Sequence, residues 1–174
     1  MSCLRVFLLD LRLNTEQSRG VKKKSIELIA TVGFIGRIPW APGTFGSVIG
    51  VFFAIGLSYA NWFVYIGALF AIIALGIWSA GAYEKATGRH DPKEVVIDEV
   101  AGYLLTVLWV PPTVQNLFIG FLLFRLFDIW KPFPISWIDK KVPGGFGTIA
   151  DDLAAGFAGF LLMHLLVSRL SFYF

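Results

Sequence analysis

The chain has 174 residues, enough for one domain, and 56% of them are hydrophobic. Only 16% are charged, against about 25% in an ordinary soluble domain, and the many Phe and Trp suit lipid-facing and interfacial positions. The net charge of +3 is modest and no basic stripe interleaves with aromatics, which argues against a nucleic-acid binder.

Residues 1–25 read as a basic extension. Val6-Phe7-Leu8-Leu9 is short, is broken by Asp10 and Arg12, and precedes no small-residue cleavage site, so it is not read as a signal peptide. Arg19 and Lys22-Lys23-Lys24 favour anionic head groups, and the extension is expected in the cytoplasm. Cys3 is the only cysteine, which excludes an intrachain disulfide. It lies in what reads as a loose N-terminus, without the backbone anion loop that a cysteine phosphatase needs.

Residues 26–174 read as a single membrane-embedded domain of the all-α class, with about five hydrophobic helical segments. A spanning helix needs about 20 mostly apolar residues, with a range of roughly 17–25. Ile26–Ile38 is shorter than that and is expected to lie along the interface, or to dip in and return at Pro39–Gly43. Spans are expected at Thr44–Ala60, Trp62–Ala82, Val95–Pro111, Thr113–Trp130 and Ile149–Leu170. The first two form a tight helical hairpin. Pro111-Pro112 ends the third and can begin the fourth.

Lysine and arginine crowd alternate loops. Lys85, Arg89 and Lys93 follow the second span, and Lys131, Lys140 and Lys141 follow the fourth. The loops around Asn61 and Pro111-Pro112 carry no charge. The excess of positive charge puts the N-terminus on the cytoplasmic side of a membrane crossed several times. No charged residue occurs between Arg37 and Glu84, between Glu99 and Arg125, or between Asp152 and Arg169. The acidic residues therefore sit at the edges of apolar segments, and all these edges face the cytoplasm. Carboxylates at a membrane edge are costly to keep unless they bind something.

Asp98-Glu99 lies in the first turns of the third span. Adjacent helical residues point about 100° apart, so these two carboxylates are not expected to share one direction. Favourable placement at a helix N-terminus explains either one cheaply. A divalent cation explains both, because Mg²⁺ takes carboxylate oxygens together with substrate phosphate. Asp151-Asp152 repeats the device at the expected start of the last span, where one Asp suffices as an N-cap. Arg125 and Asp128, three apart, pair on one helix face or serve a site separately. Lys131 adds a cation where Pro132 forces the helix to end. Arg125 offers a planar fork for phosphate and Lys131 a point charge.

Two glycine-rich stretches flank these residues: Pro42-Gly43-Thr44-Phe45-Gly46-Ser47 and Gly144-Gly145-Phe146-Gly147. Alone, each reads as an ordinary turn, and neither is a Walker loop. Beside paired carboxylates, Thr44 and Gly145 become candidate phosphate contacts. His90-Asp91, just before Pro92, joins them as a candidate substrate-binding pair, although a lone loop His is more often simply solvated. His164 lies in the last span and reads as a packed or helix-bonded residue.

Taken together, four motifs resemble those of bacterial phosphatidylglycerophosphatase A in order and spacing. They are Pro-Gly-Thr-Phe-Gly-Ser (42–47), His-Asp-x6-Asp-Glu-x2-Gly (90–102), Phe-Arg-x2-Asp-x2-Lys-Pro-x-Pro (124–134) and Gly-Gly-x-Gly-x3-Asp-Asp-x3-Gly (144–156). The resemblance covers residues 26–168. It implies a membrane enzyme of phospholipid synthesis that uses Mg²⁺ to convert phosphatidylglycerophosphate to phosphatidylglycerol and inorganic phosphate. It maps the family's charged motif residues onto Asp91, Asp98, Glu99, Arg125, Asp128, Lys131, Asp151 and Asp152. In this reading Asp98, Glu99, Asp128, Asp151 and Asp152 hold metal and carry catalysis, and Arg125 and Lys131 neutralise phosphoryl oxygens. Two rival classes fare worse. The motif of alcohol phosphotransferases is absent, and a cation transporter would place its carboxylates near the bilayer midplane.

Overall fold

A computed structural model describes residues 23–170, and all regular secondary structure among them is helical. The basic extension up to residue 22, with its expected cytoplasmic and head-group roles, lies outside the described residues. Helix α1 covers 23–30 and a single 3₁₀ turn covers Ile35–Arg37. Then come α2 (Pro42–Ser58), α3 (Trp62–Thr87), α4 (Ile97–Thr106), α5 (Val114–Trp130), α6 (Ile135–Lys141) and α7 (Gly144–Leu170).

The helix boundaries follow local chemistry. Asn61 caps α3, its side chain accepting the Val64 N–H at 3.0 Å, and the link from α2 is short as expected, but the two helices scarcely touch: α2 packs mainly on α4 and α3 on α7. α3 runs five residues past the expected Ala82, because nothing stops it before Gly88. There the left-handed C-cap (φ 68°) lets the Gly88 N–H reach the Glu84 carbonyl. Thr113 caps α5 through the Asn116 N–H. α5 ends at Lys131 (φ 44°), since the residue before a proline avoids the helical region.

The third expected span is the one that differs most. α4 keeps only ten residues of Val95–Pro111. That is about 15 Å of helix against a hydrocarbon core of about 30 Å. Past Thr106 the chain turns, with Trp109 left-handed at φ 61° ahead of the two prolines. Eight residues of α4 are buried, and the helix touches α2, α3, α5 and α7. It is the core of the bundle. Tyr103 is fully buried and donates its hydroxyl to the Leu117 carbonyl at 3.0 Å. Thr106 donates to the Gly156 carbonyl of α7 at 3.2 Å. A Cβ on Gly156 would fall on the Gly102 carbonyl, so glycine sets how closely α4 and α7 approach.

α3 and α7 are long and apolar enough to cross a membrane, and only 22% and 39% of their most apolar stretches are buried within the protein. Phe70, Trp78, Phe157, Leu161 and Leu165 project outward from them. A hydrophobic exterior of this kind suits lipid contact. α2 is apolar but has 17 residues. His164 donates from Nδ1 to the Phe160 carbonyl at 2.9 Å, the helix-bonded role expected of it.

Two cavities mark opposite ends of the bundle. One, of about 190 Å³, is lined by Leu57, Trp62, Tyr65, Trp109, Pro111 and neighbours, where the uncharged loops meet. The other lies where α2, α4 and α7 start and where α5 ends.

Candidate active site

This second cavity, of about 300 Å³, is lined by Asp91, Asp98, Glu99, Arg125, Asp128, Lys131, Asp151 and Asp152. Residues from four distant stretches of sequence meet there because α2, α4 and α7 lead away from this end and α5 returns to it. Three residues on its wall, Ala41 (φ 47°), Asp91 (φ 45°) and Lys131 (φ 44°), adopt the left-handed conformation that side chains other than glycine rarely take. Backbone strain of this kind collects at functional sites.

At the centre are Asp98, Glu99 and Asp152. Each offers a carboxylate oxygen, and the three oxygens lie within 4.8 Å of one another. The expectation that Asp98 and Glu99 cannot share a direction is overturned here. The longer side chain of Glu99 swings back to the point where Asp98 looks. It has room because α2 presents glycine to it: a Cβ on Gly43 would fall on Glu99 Oε1, and one on Gly46 would lie 3.2 Å from Oε2. Asp151-Asp152 behaves as the 100° rule says. Asp152 joins the cluster, while Asp151 turns to Lys131, which donates to its Oδ2 at 2.5 Å.

These two Asp are not at the start of their helix. α7 begins at Gly144, five residues before the expected Ile149, so Asp151 and Asp152 lie two turns inside it and neither is an N-cap. The Gly144–Gly147 stretch is the first turn of α7 rather than a loop. Gly145 does not line the cavity; a Cβ there would strike the Ile77 carbonyl and the Gly81 N–H of α3. Its smallness serves helix packing. Thr44 likewise lies in the first turn of α2 and is not on the cavity wall. His90 stands exposed at the rim, beside Glu84, and lines only a small side pocket with Asp91, Asp139, Thr148 and Asp151.

Of the three cations lining the cavity, Lys93 is exposed, while Arg125 and Lys131 are engaged with carboxylates. Arg125 donates to Asp128 at 2.5 Å, so the helix-face pair is formed, and it is formed inside the cavity wall. Lys131 bridges Asp151 and Asp139, the latter at 2.6 Å. Burial works against the Lys131 charge, but these two hydrogen bonds prevail and hold the ammonium above its usual range.

Asp139 is a residue that sequence reading missed. It stands beside Lys140-Lys141 in a segment that reads as a basic loop, whereas the structure makes that segment α6. Thr148 was missed too, although it lies three residues before Asp151 and hence on the same helix face. Both its side chain and that of Asp151 are nearly fully buried, and Thr148 Oγ1 and Asp151 Oδ1 have no hydrogen-bond partner among the described residues. Neither does Glu99 Oε2. A buried carboxylate oxygen without a partner is costly unless a cation meets it. Three carboxylate oxygens within 4.8 Å of one another are the hard donor set that a divalent cation takes, and the side chains would draw closer together to ligate one ion.

The sequence pattern of phosphatidylglycerophosphatase A matches residues 28–167. The chain is similar to the phosphatidylglycerophosphatase A of Escherichia coli (strain K12), at 35% identity over 74% of this chain and 76% of that protein. It is also similar to the protein of that name from Haemophilus influenzae, at 37% identity over 75% of this chain and 81% of that protein. No solved structure matches the chain.

Proposed function

The chain belongs to the phosphatidylglycerophosphatase A family, and we propose that the carboxylate-lined cavity is where it works, with Mg²⁺ held by Asp98, Glu99 and Asp152. The protein is a phosphoric monoester hydrolase. It removes the terminal phosphate of phosphatidylglycerophosphate, leaving phosphatidylglycerol and inorganic phosphate. The observation that carries the site assignment is the convergence of three carboxylates within 4.8 Å, with Arg125 and Lys131 on the same wall.

Bound Mg²⁺ supplies Lewis-acid polarisation of a phosphoryl oxygen. The remaining work falls to the chain. Arg125 presents a planar guanidinium, and binding a phosphoryl group there exchanges its bond to Asp128 for bonds to phosphate. Asp128, released, faces the cation site. Lys131, fixed by Asp139 and Asp151, adds positive charge where the transition state gathers negative charge. Asp91 lies at the exposed lip of the cavity, where a substrate entering from the membrane surface would pass it.

In this reading residues 26–174 form one membrane domain with five hydrophobic segments, α4 being the short central one. The positive-inside bias of the Lys and Arg residues supports an orientation in which the cavity faces the cytoplasm of a bacterial cell, at the level of the lipid head groups. A substrate whose acyl chains stay in the bilayer then brings its phosphate to the carboxylates without leaving the membrane. A Cys substituted at Lys93 should resist impermeant thiol reagents in intact cells. Labelling from outside would overturn the orientation.

The decisive assay uses purified protein in mixed micelles with phosphatidylglycerophosphate. Phosphate release should stop when divalent cations are chelated and return with Mg²⁺. Release indifferent to chelation would remove the metal from the proposal.

A further inference from the structure

We infer that Glu84 is a positioning residue that holds Asp91 at the lip of the cavity, an inference that rests on reading this cavity as the active site. Glu84 stands in the last turn of α3, where the helix dipole disfavours negative charge. Its side chain is only 12% exposed. A largely covered carboxylate in the wrong place for its helix needs compensation, and the compensation is in the loop that follows. Glu84 Oε1 accepts the Asp91 N–H at 2.9 Å and lies 3.0 Å from His90 Nδ1. An ionised carboxylate can only accept, so His90 Nδ1 carries the proton and donates.

The loop so held has an unusual shape. Gly88 turns it at φ 68°, and its N–H bonds the Glu84 carbonyl at 2.8 Å. Glu84 therefore grips the loop twice, by its main chain at Gly88 and by its side chain at His90 and Asp91. Asp91 takes φ 45°, a conformation that persists only where the surroundings over-determine it. That conformation turns the chain between Gly88 and Pro92 and leaves Asp91 on the wall of both the main cavity and its side pocket. Arg89 and Glu94, paired at 2.9 Å, close the same loop from its outer side. His90 thus gains a role other than acid–base chemistry: it is the second strand of the latch that fixes its neighbour.

The test is a double-mutant cycle on the micelle assay. Glu84→Ala should lower kcat by about 10- to 100-fold, the range for residues that orient a ligand group without touching substrate. If Glu84 acts through Asp91, the double variant Glu84→Ala with Asp91→Ala should be no slower than Asp91→Ala alone. Glu84→Gln keeps an acceptor for the Asp91 N–H and loses only charge assistance, so it should stay within about fivefold of wild type. Glu84→Asp is one methylene too short to reach and should resemble Glu84→Ala. It carries the same cycle if the alanine protein is not recovered folded. Losses that multiply in the double variant would overturn the inference, as would a Glu84→Gln as slow as Glu84→Ala, or an Asp91→Ala at the wild-type rate. A wild-type protein that releases no phosphate from this lipid would instead sink the active-site reading.

Discussion

Asp98-Glu99 and Asp151-Asp152 are the same short pattern, two adjacent carboxylates ahead of an apolar stretch, yet the fold uses them differently. Asp98 and Glu99 sit in the first turn of a short, buried helix, where the positive end of the dipole favours both. The longer Glu side chain brings the second carboxylate round to the first, into space left by Gly43 and Gly46. Asp151 and Asp152 lie two turns inside α7, beyond the reach of any helix-end effect. They split: Asp152 joins Asp98 and Glu99, and Asp151 is neutralised by Lys131. One pair converges by side-chain length, and the other divides the work between a cation cluster and an ion pair.

The strongest test of this division comes from the third contributor, α5. Exchanging the partners, Arg125→Asp with Asp128→Arg in one protein, preserves a helix-face pair and puts each charge where the other is needed. Phosphate release should vanish while the protein still inserts in the membrane. A swapped protein with a comparable rate would reduce Arg125 and Asp128 to a structural pair. Next in size, Asp98→Asn and Asp152→Asn should each cost at least about a hundredfold in kcat, the scale for removing one electrostatic group at a reacting centre. Yield should change little, since each loses a buried charge without losing volume. Asp151→Asn should cost less than Asp152→Asn, because Asp151 faces Lys131. Equal losses from these two would erase the proposed difference within the dipeptide.

Gly43→Ala sharpens the comparison from the other side. Its Cβ would occupy the place of Glu99 Oε1 and lie 3.2 Å from Arg125 Nη1. Both are ends of flexible side chains that can yield, so thermal stability should barely change. Activity should fall about 10- to 100-fold and the Mg²⁺ concentration for half-maximal rate should rise, the effect expected when a ligand is misaimed rather than removed. An unaltered Mg²⁺ dependence would show that Glu99 does not need this space.

The smallest effect on chemistry belongs to Gly156→Ala. Its Cβ meets the Gly102 carbonyl, which is backbone and cannot move aside without shifting α4. Such overpacking typically costs about 1–3 kcal/mol. Unfolding in detergent should show that loss, with kcat per folded molecule much less affected than in Asp98→Asn. A large fall in kcat with unchanged stability would mean that the α4–α7 spacing tunes the site directly.

Much of this protein is written in local patterns. Three uncharged stretches, from Arg37 to Glu84, from Glu99 to Arg125 and from Asp152 to Arg169, mark the apolar helices and place their charged ends. Asn61, Thr113, Gly88 and Pro132 punctuate them, because caps and breakers act within a few residues. The charged residues of the cavity were legible for the same reason: charge is rare here, and where it occurs it has a use. Packing decided the rest. The short α4 reads as a span by hydropathy, since a helix buried among other helices is as apolar as one in lipid. The glycines of 144–147 read as a loop, since flexibility and close approach ask for the same residue and only the neighbouring α3 backbone tells them apart. The meeting of Glu99 with Asp98, the turning of Asp151 to Lys131 and Asp139, and the grip of Glu84 on Asp91 all depend on side-chain reach across elements distant in sequence. No periodicity along one chain records such distances; they exist only once the helices are packed.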